Sequence, residues 1–284
     1  MIAITGASGQ LGRLVVLQLL KQVPATELVA VVRDASKAAD LAARGVQIRT
    51  ATYDDPASLE LAFAGAERVL LVSSNDLGNR VTQHGNAIAA AKRAGAGQLV
   101  YTSVLHADRS PLGLAQEHYE TEKLIAASGL PHSILRNGWY TENYTASLPG
   151  ALANGALLGS AGEGRISSAA RQDYAEAAAA VLTRPIEAAR VFELAGDDSY
   201  TLAEFAAEVS RQSGKELPYR NLPEAEYAAI LKQIGLPAPL ADLIADSDRG
   251  ASQGGLFDDG NELSRLIGHA TTPLADSVKA ALAG

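Results

Sequence analysis

Tyr119 and Lys123 stand four apart in Tyr119-Glu120-Thr121-Glu122-Lys123, a spacing that puts both on one face of a helix. An ammonium beside a phenol favours the phenolate and brings a group that ordinarily titrates near pKa ~10 closer to neutrality. Such a pair can supply a proton while hydride moves, and the same lysine can hold the hydroxyls of a nicotinamide ribose. Tyr and Lys four apart are common on helix surfaces, so the pair gains weight only from its setting. Ser103, in Tyr101-Thr102-Ser103, and His106 and His118 are further polar groups able to orient a carbonyl, although a lone histidine serves as readily as a cap or a surface residue. No two histidines have metal-ligand spacing and there is no HExxH, so no metal is indicated.

A second constellation opens the chain. Gly6-Ala7-Ser8-Gly9-Gln10-Leu11-Gly12 follows an apolar strand-like run and leads into an amphipathic helix, the context in which a glycine pattern becomes informative. Gly6 suits a tight turn, Gly9 lets backbone N–H groups approach a pyrophosphate, and Gly12 lets the helix pack closely. The helix N-terminus adds positive potential. About 20 residues further on, Val31-Val32-Arg33-Asp34 ends the second strand, where an acid would hold a ribose 2′-hydroxyl and an arginine a 2′-phosphate. The arginine comes first, and Lys37 adds a second charge one turn on, which favours NADP. The competing reading has Asp34 hold the ribose of NAD, with Arg33 a solvated charge. Ser73, Ser74 and Asn75 end the fourth strand, where they serve equally as cofactor contacts or as small polar strand terminators.

The elements that must position these groups alternate in the order that builds a parallel sheet with crossover helices. Strands are expected at Ile2–Thr5, Leu28–Val32, Val46–Thr50, Arg68–Val72, Gln98–Thr102 and His132–Leu135. Helices are expected near 11–22, 35–43, 56–64, 81–94 and 117–128, with Gly45, Gly95 and Gly97 as structural glycines between elements. A Gly/Asn/Ser-rich stretch from Asn154 to Ser168 precedes an Ala-rich helix, Asp173–Leu182, and a strand, Val191–Leu194, both rejoining the sheet. From Thr201 the pattern is helical and interrupted by proline, with segments at Glu204–Ser213, Glu224–Gly235 and Pro273–Leu282. The fold class read from this is α/β: a Rossmann-type, doubly wound parallel sheet with a smaller, mainly helical C-terminal cap. The dinucleotide-binding domain is expected over 1–135 plus about 169–195, and the substrate and cap region over about 136–168 and 196–284.

Composition narrows the function classes. The 284 residues suffice for a sizeable core, and the formal charge of −8 gives no reason to condense on nucleic acid or an anionic membrane. Without cysteine there is no disulfide frame, thiolate metal site or thiol nucleophile, which suits a reducing cytosol. Met1 to Thr5 reads as strand rather than leader, and no apolar run is long enough to span a bilayer. A cytoplasmic protein is expected. Its apolar helix faces leave a homo-oligomer open.

Taken together, GASGQLG, VVRD, YTSVLHAD, the EHYETEK helix, LRNGWYTENY and the late GGLFDD resemble an atypical short-chain dehydrogenase/reductase. More narrowly the chain is similar over its full length to the NmrA-like branch, and within it to the bacterial type-2 NADPH-dependent quinone oxidoreductases and triphenylmethane dye reductases. The resemblance implies an NADPH-dependent two-electron reductase whose nucleotide lies along Gly6 to Gly12, Arg33, Ser73 to Asn75 and the loop Asn137-Gly138-Trp139-Tyr140-Thr141-Glu142. That branch keeps the lysine equivalent to Lys123 but often replaces the tyrosine, so Tyr119 is a departure toward the wider superfamily. A physical reason is at hand: a reduced quinone leaves as a phenolate-like anion with pKa about 10, and hardly needs a tuned acid.

Trp139 and Tyr140, with Asn143 and Tyr144, bring the only tryptophan to the expected mouth between the domains, where flat rings suit a flat acceptor or simply pack. Two functions follow. One is an oxidoreductase moving hydride from NADPH to a quinone-like acceptor in a cleft screened by the cap. The other is a non-catalytic NADP-binding redox sensor that acts through a regulatory partner, as the resemblance to NmrA-like proteins also allows. A nucleotide-sugar epimerase or dehydratase is disfavoured by the short cap.

Overall fold

Strands that are wholly apolar at the centre of the sheet and mixed in polarity elsewhere run through the computed structural model, which describes residues 1–283. Among the described residues these are β1 (Ile2–Ile4), β2 (Leu28–Val32), β3 (Gln47–Thr50), β4 (Arg68–Leu71), β5 (Gln98–Val104), β6 (His132–Asn137), β7 (Leu157–Gly159), β8 (Ala189–Leu194) and β9 (Tyr219–Asn221). Seven make one sheet in the order β3-β2-β1-β4-β5-β6-β8, while β7 and β9 pair separately. Every pair from β3 across to β6 is parallel, with Ile2 opposite both Leu28 and Arg68. β1 therefore lies between β2 and β4, and the order reverses there. In a doubly wound sheet that switch point opens a crevice beyond the strands' carboxyl ends.

The crossover helices form where the apolar spacing and the caps require them. In Gln10–Leu19, Leu11, Val15, Val16 and Leu19 are buried, one stripe of a helix packed against Arg171–Thr183. Asp55 caps Pro56–Phe63, accepting from the N–H groups of Ala57 and Ser58. Leu59, Phe63, Leu71, Tyr101, Ile125 and Ile134 belong to one buried cluster of the core. The expected helix over 35–43 is instead a 3-10 turn, Ala35–Ala38, followed by a short helix, Ala39–Ala42. Asp34 caps the turn locally, and Ala38 leaves the helical region at φ −123° before the second piece starts.

Two compact units result. One comprises 1–104, 117–137 and 171–192; the other comprises 105–116, 138–170 and the chain from Glu193 onward. Sequence alone kept 105–116 with the dinucleotide-binding part. Its contacts gather it into the second unit, where the Gly113 N–H donates to Asp246 at 2.7 Å and that of His106 to Glu193 at 2.9 Å. The second unit is largely helical, with Leu202–Ser213 started by a Thr201/Glu204 capping box and burying Leu202, Phe205, Ala206 and Val209. It also holds the small parallel β7–β9 sheet, which sequence alone did not reveal.

Candidate functional site

Gly6 turns the chain out of β1 at φ +60°, a conformation costly for any residue with a Cβ. The Gly9 N–H donates to the Gly6 carbonyl at 2.8 Å, and Gly9 then caps Gln10–Leu19. A Cβ on Gly9 would stand 3.1 Å from the Gly6 oxygen, and one on Gly12 only 2.4 Å from it. The helix start has neither a side-chain cap nor an acid in its first turn. Its leading N–H groups thus lack a side-chain acceptor, beside a turn where glycines at 6, 9 and 12 keep Cβ atoms away from the backbone, which is the form a pyrophosphate requires. Ala7 is buried, Ser8 half-buried, Gln10 exposed and Leu11 in the core.

At the end of β2 Arg33 is exposed, as is Lys37. Asp34 turns its carboxylate back on its own chain, accepting from the Ser36 N–H at 3.0 Å and the Ser36 hydroxyl at 2.7 Å. The Ser36 hydroxyl, then its N–H, and Lys37 hold that carboxyl below its ordinary range. A ribose-holding role for Asp34 would compete with this cap, which favours the phosphate-binding reading of Arg33. Arg13, which sequence reasoning passed over, pairs with Asp40 and donates to the Lys37 carbonyl, tying the helix after the glycine turn to the basic turn after β2.

Beyond β4 the chain is tethered by side chains. The Val72 N–H donates to Thr5 Oγ1 at 2.9 Å and the Ser73 N–H to Thr102 Oγ1 at 2.8 Å. The Ser74 N–H donates to His84 Nε2 at 2.9 Å, and Arg80 Nε donates to the Ser74 carbonyl at 2.7 Å. Ser74 is buried with its hydroxyl donated inward to Gln83, whereas Ser73 is half-buried and Asn75 exposed. None of these anchors was singled out from the sequence. The signal present was a threonine at the end of two apolar strands, and an Arg and a His at i, i+4.

Tyr119 and Lys123 lie on Ala115–Ser128 as the spacing predicts. The Lys123 ammonium sits over the Tyr119 ring, 5.1 Å from its centroid, and pairs with Glu120 at 2.6 Å, its side chain half exposed. Ser103 is placed differently from a free substrate donor: its hydroxyl donates to Glu122 Oε1 at 2.5 Å. Glu122 in turn takes Arg136 Nε at 3.0 Å and Nη2 at 2.7 Å, a buried bidentate pair. His118 is buried, its Nδ1 2.7 Å from the Tyr101 hydroxyl, and desolvation holds its pKa well below 6.5. His106, in the second unit, adopts φ +54°. The Glu193 carboxylate raises its pKa, and Asp258 lies 3.3 Å from Nε2.

Asn137 ends β6 opposite Val104. In the second unit the Gly138 N–H donates to the Leu194 carbonyl at 2.6 Å, and Trp139 and Thr141 bond Ala169 through their backbones. The Thr141 hydroxyl meets Ser168 at 2.8 Å, and Glu142–Thr145 forms a short helix with Asn143 exposed. Trp139 and Tyr140 are half-buried. Tyr144 faces the interior of its unit: its ring lies 5.9 Å from that of Phe205 and its hydroxyl points to Asp248. Asp248 is buried and accepts from the Ser160 N–H at 2.9 Å, and desolvation pushes its carboxyl up to about 6. Among the described residues no group of three metal-binding side chains occurs.

A glycine cradle at the switch point of a doubly wound sheet, followed by exposed basic residues after β2, defines a Rossmann-type dinucleotide-binding protein. The chain belongs to the NAD(P)H-binding family, whose profile matches residues 6–185. It is 57% identical over 278 residues to quinone oxidoreductase 2 of Escherichia coli (strain K12), covering 98% of this chain and 97% of that one. The solved structure of the NADPH-dependent quinone oxidoreductase QOR2 from Escherichia coli, complexed with NADPH, matches with a TM-score of 0.97 at 56% identity, over 99% of this chain and all of that one. Citrobacter sp. triphenylmethane reductase complexed with NADP(H) matches with a TM-score of 0.95 at 36% identity, over 99% of this chain and 100% of that one.

Proposed function

We propose that this chain is an NADPH-dependent oxidoreductase that passes hydride to a quinone or a similarly planar, conjugated acceptor. The observation that carries the proposal is the glycine cradle at the β1/β4 switch point, in a chain alike from end to end to an NADPH-dependent quinone oxidoreductase. That likeness favours catalysis over the sensor reading. When bound, NADPH supplies the hydride. The backbone from Gly6 to Gly12 holds the pyrophosphate, Arg33 and Lys37 take the 2′-phosphate, and Ser73 to Asn75 and the loop 137–142 complete the nucleotide site.

Lys123 binds the nicotinamide ribose hydroxyls, exchanging its partner Glu120 for them. The acceptor takes up one hydride and one proton and leaves as a quinol. Its anion, with pKa about 10, draws that proton from solvent without a tuned acid, so Tyr119 is an auxiliary group in this scheme. Trp139, Tyr140 and Asn143 are the proposed acceptor-side residues, with Trp139 and Tyr140 offering flat rings, whereas Tyr144, expected there from the sequence, is turned inward to Phe205 and Asp248. No described helix is long and apolar enough to cross a membrane. The absence of cysteine suits the cytoplasmic location we propose.

The test follows NADPH and NADH oxidation in parallel with a simple benzoquinone, corrected for the uncatalysed rate, on the native protein and on Lys123→Ala and Arg33→Ala. Saturable turnover that prefers NADPH is expected. Lys123→Ala should lose most of it, and Arg33→Ala should lose the preference. Nucleotide binding without turnover would return the sensor reading.

A further inference from the structure

Ser73-Ser74-Asn75 is a short irregular stretch outside sheet and helix, and its backbone is held by side chains at three points, the Ser73 N–H and the N–H and carbonyl of Ser74. The Tyr53 hydroxyl lies 2.6 Å from both Thr5 Oγ1 and the Val72 carbonyl. Thr5 and Thr102 take the N–H groups of Val72 and Ser73. The next residue, Ser74, is gripped at both its N–H and its carbonyl, by His84 and Arg80, two residues one turn apart on Arg80–Arg93. Both continue to Ala115–Ser128. Arg80 Nη1 donates to Glu117 Oε2 at 3.2 Å, and His84 Nδ1 lies 3.0 Å from Thr121 Oγ1. The other Glu117 oxygen accepts from the Gly78 N–H at 2.8 Å, closing the loop's far end.

The proton positions along this chain follow from the donors. A backbone N–H can only donate, so His84 Nε2 accepts from Ser74. Thr121 Oγ1 donates to the Glu117 carbonyl at 2.8 Å, so it accepts from Nδ1–H. The imidazole is thus neutral and confined to one tautomer. Burial and the neighbouring Arg80 charge hold its pKa down at about 3, so it stays neutral at any working pH. The rings of Tyr53 and Tyr101, 6.0 and 5.2 Å away and edge-on, fix its plane.

We propose that His84, with Arg80, is a positioning residue for the dinucleotide: it locks Ser73-Ser74-Asn75 against the helix that carries Tyr119 and Lys123. This rests on the nucleotide-binding reading of that loop. The relation is direct in the fold. Val72, which opens the loop, lies 3.5 Å from the point where a Cβ on Gly6 would stand, and Glu117 and Thr121 share the helix of Tyr119 and Lys123. A loop that must be ordered on each binding event weakens affinity, whereas one held beforehand does not.

The experiment is calorimetric titration of the full chain with NADPH at 15 °C, with melting temperatures and benzoquinone kinetics alongside. His84→Ala leaves the Ser74 N–H without its acceptor and should weaken NADPH about tenfold. His84→Gln puts an amide oxygen at about the reach of Nε2 and should bind within about twofold of native. His84→Asn, whose amide reaches only to about Nδ1, should resemble Ala. A residue with a merely structural role would lower melting temperature without this ordering of affinities. Ala and Gln variants that bind alike, tightly or weakly, overturn the proposal. Thr121→Val, nearly isosteric and on the other helix, covers an Ala variant too unstable to titrate. It should raise KM for NADPH about threefold with kcat and the benzoquinone KM unchanged, and unchanged NADPH affinity there overturns the proposal too. Native protein that fails to bind NADPH would instead remove the functional reading beneath it.

Discussion

Asp248 offers a stability effect that can be worked through in numbers. The carboxylate lies in the second unit, bonded to the Ser160 N–H and approached by the Tyr144 hydroxyl at 3.4 Å. Burial raises its pKa from 3.8 to about 6. A group whose folded pKa exceeds its unfolded value binds more protons when folded, so stability is fully present below the unfolded pKa and is lost as pH rises through the folded one. Two pH decades at about 1.4 kcal/mol each give a loss of about 3 kcal/mol between pH 3.8 and pH 6 and beyond. Asp248→Asn removes the titration, and its amide oxygen can still accept from Ser160. Urea unfolding of both proteins from pH 4 to pH 8 should therefore show the difference between them drifting by about 3 kcal/mol in favour of Asn. His106 titrates in both proteins and cancels in the difference. Curves for native and variant that run parallel across that range would refute the reasoning.

Other outcomes follow from the same geometry. Gly12→Ala would force a methyl to within 2.4 Å of the Gly6 carbonyl, backbone against backbone. It should cost roughly 1–3 kcal/mol in urea titrations and abolish NADPH binding by calorimetry. Glu122→Ala leaves the Arg136 guanidinium buried without its carboxylate and should destabilise the protein by about 3–5 kcal/mol, measured by the same unfolding. Tyr119→Phe keeps a ring beneath Lys123 and should leave benzoquinone turnover within about threefold of native, whereas a tenfold loss of kcat would make the phenol a proton donor.

The centre of the sheet was legible because β1, β2 and β4 are buried along nearly their whole length and read as apolar runs. β2 matches its expected bounds, and the other strands of the first unit differ by one or two residues at an end. The glycine turn was legible for a different reason: a position that admits no Cβ leaves a mark in the sequence that no packing argument is needed to read. The second unit was less open. Helix Ala238–Ser252 went unseen because Pro237 and Pro239 read as interruptions, whereas they sit in its N-cap and first turn, where proline starts a helix. β7 and β9 have three residues each, too few for a period to show. Nor could the anchors after β4 be read, since Thr5, Thr102, Arg80 and His84 meet only once the chain has folded.

The polar groups around Tyr119 bear on which acceptors the site can serve. Reduction of an ordinary ketone produces a strongly basic alkoxide and calls for a donor at the carbonyl oxygen, and the serine at the end of β5 is the natural candidate. Here the Ser103 hydroxyl donates to Glu122, which also takes the Arg136 guanidinium, so that hydroxyl points into a buried ion pair rather than toward a reacting oxygen. Turning it outward would leave a Glu122 oxygen short of one donor in a buried position, at a cost of order 1–3 kcal/mol. The Lys123 ammonium rests on the face of the Tyr119 ring and on Glu120, which suits the binding role proposed for it better than exchange of a proton with the phenol oxygen. An acceptor whose reduced form is a stabilised, weakly basic anion needs neither group as an acid. The arrangement therefore supports quinone-like acceptors over simple ketones by what it withholds as well as by what it presents.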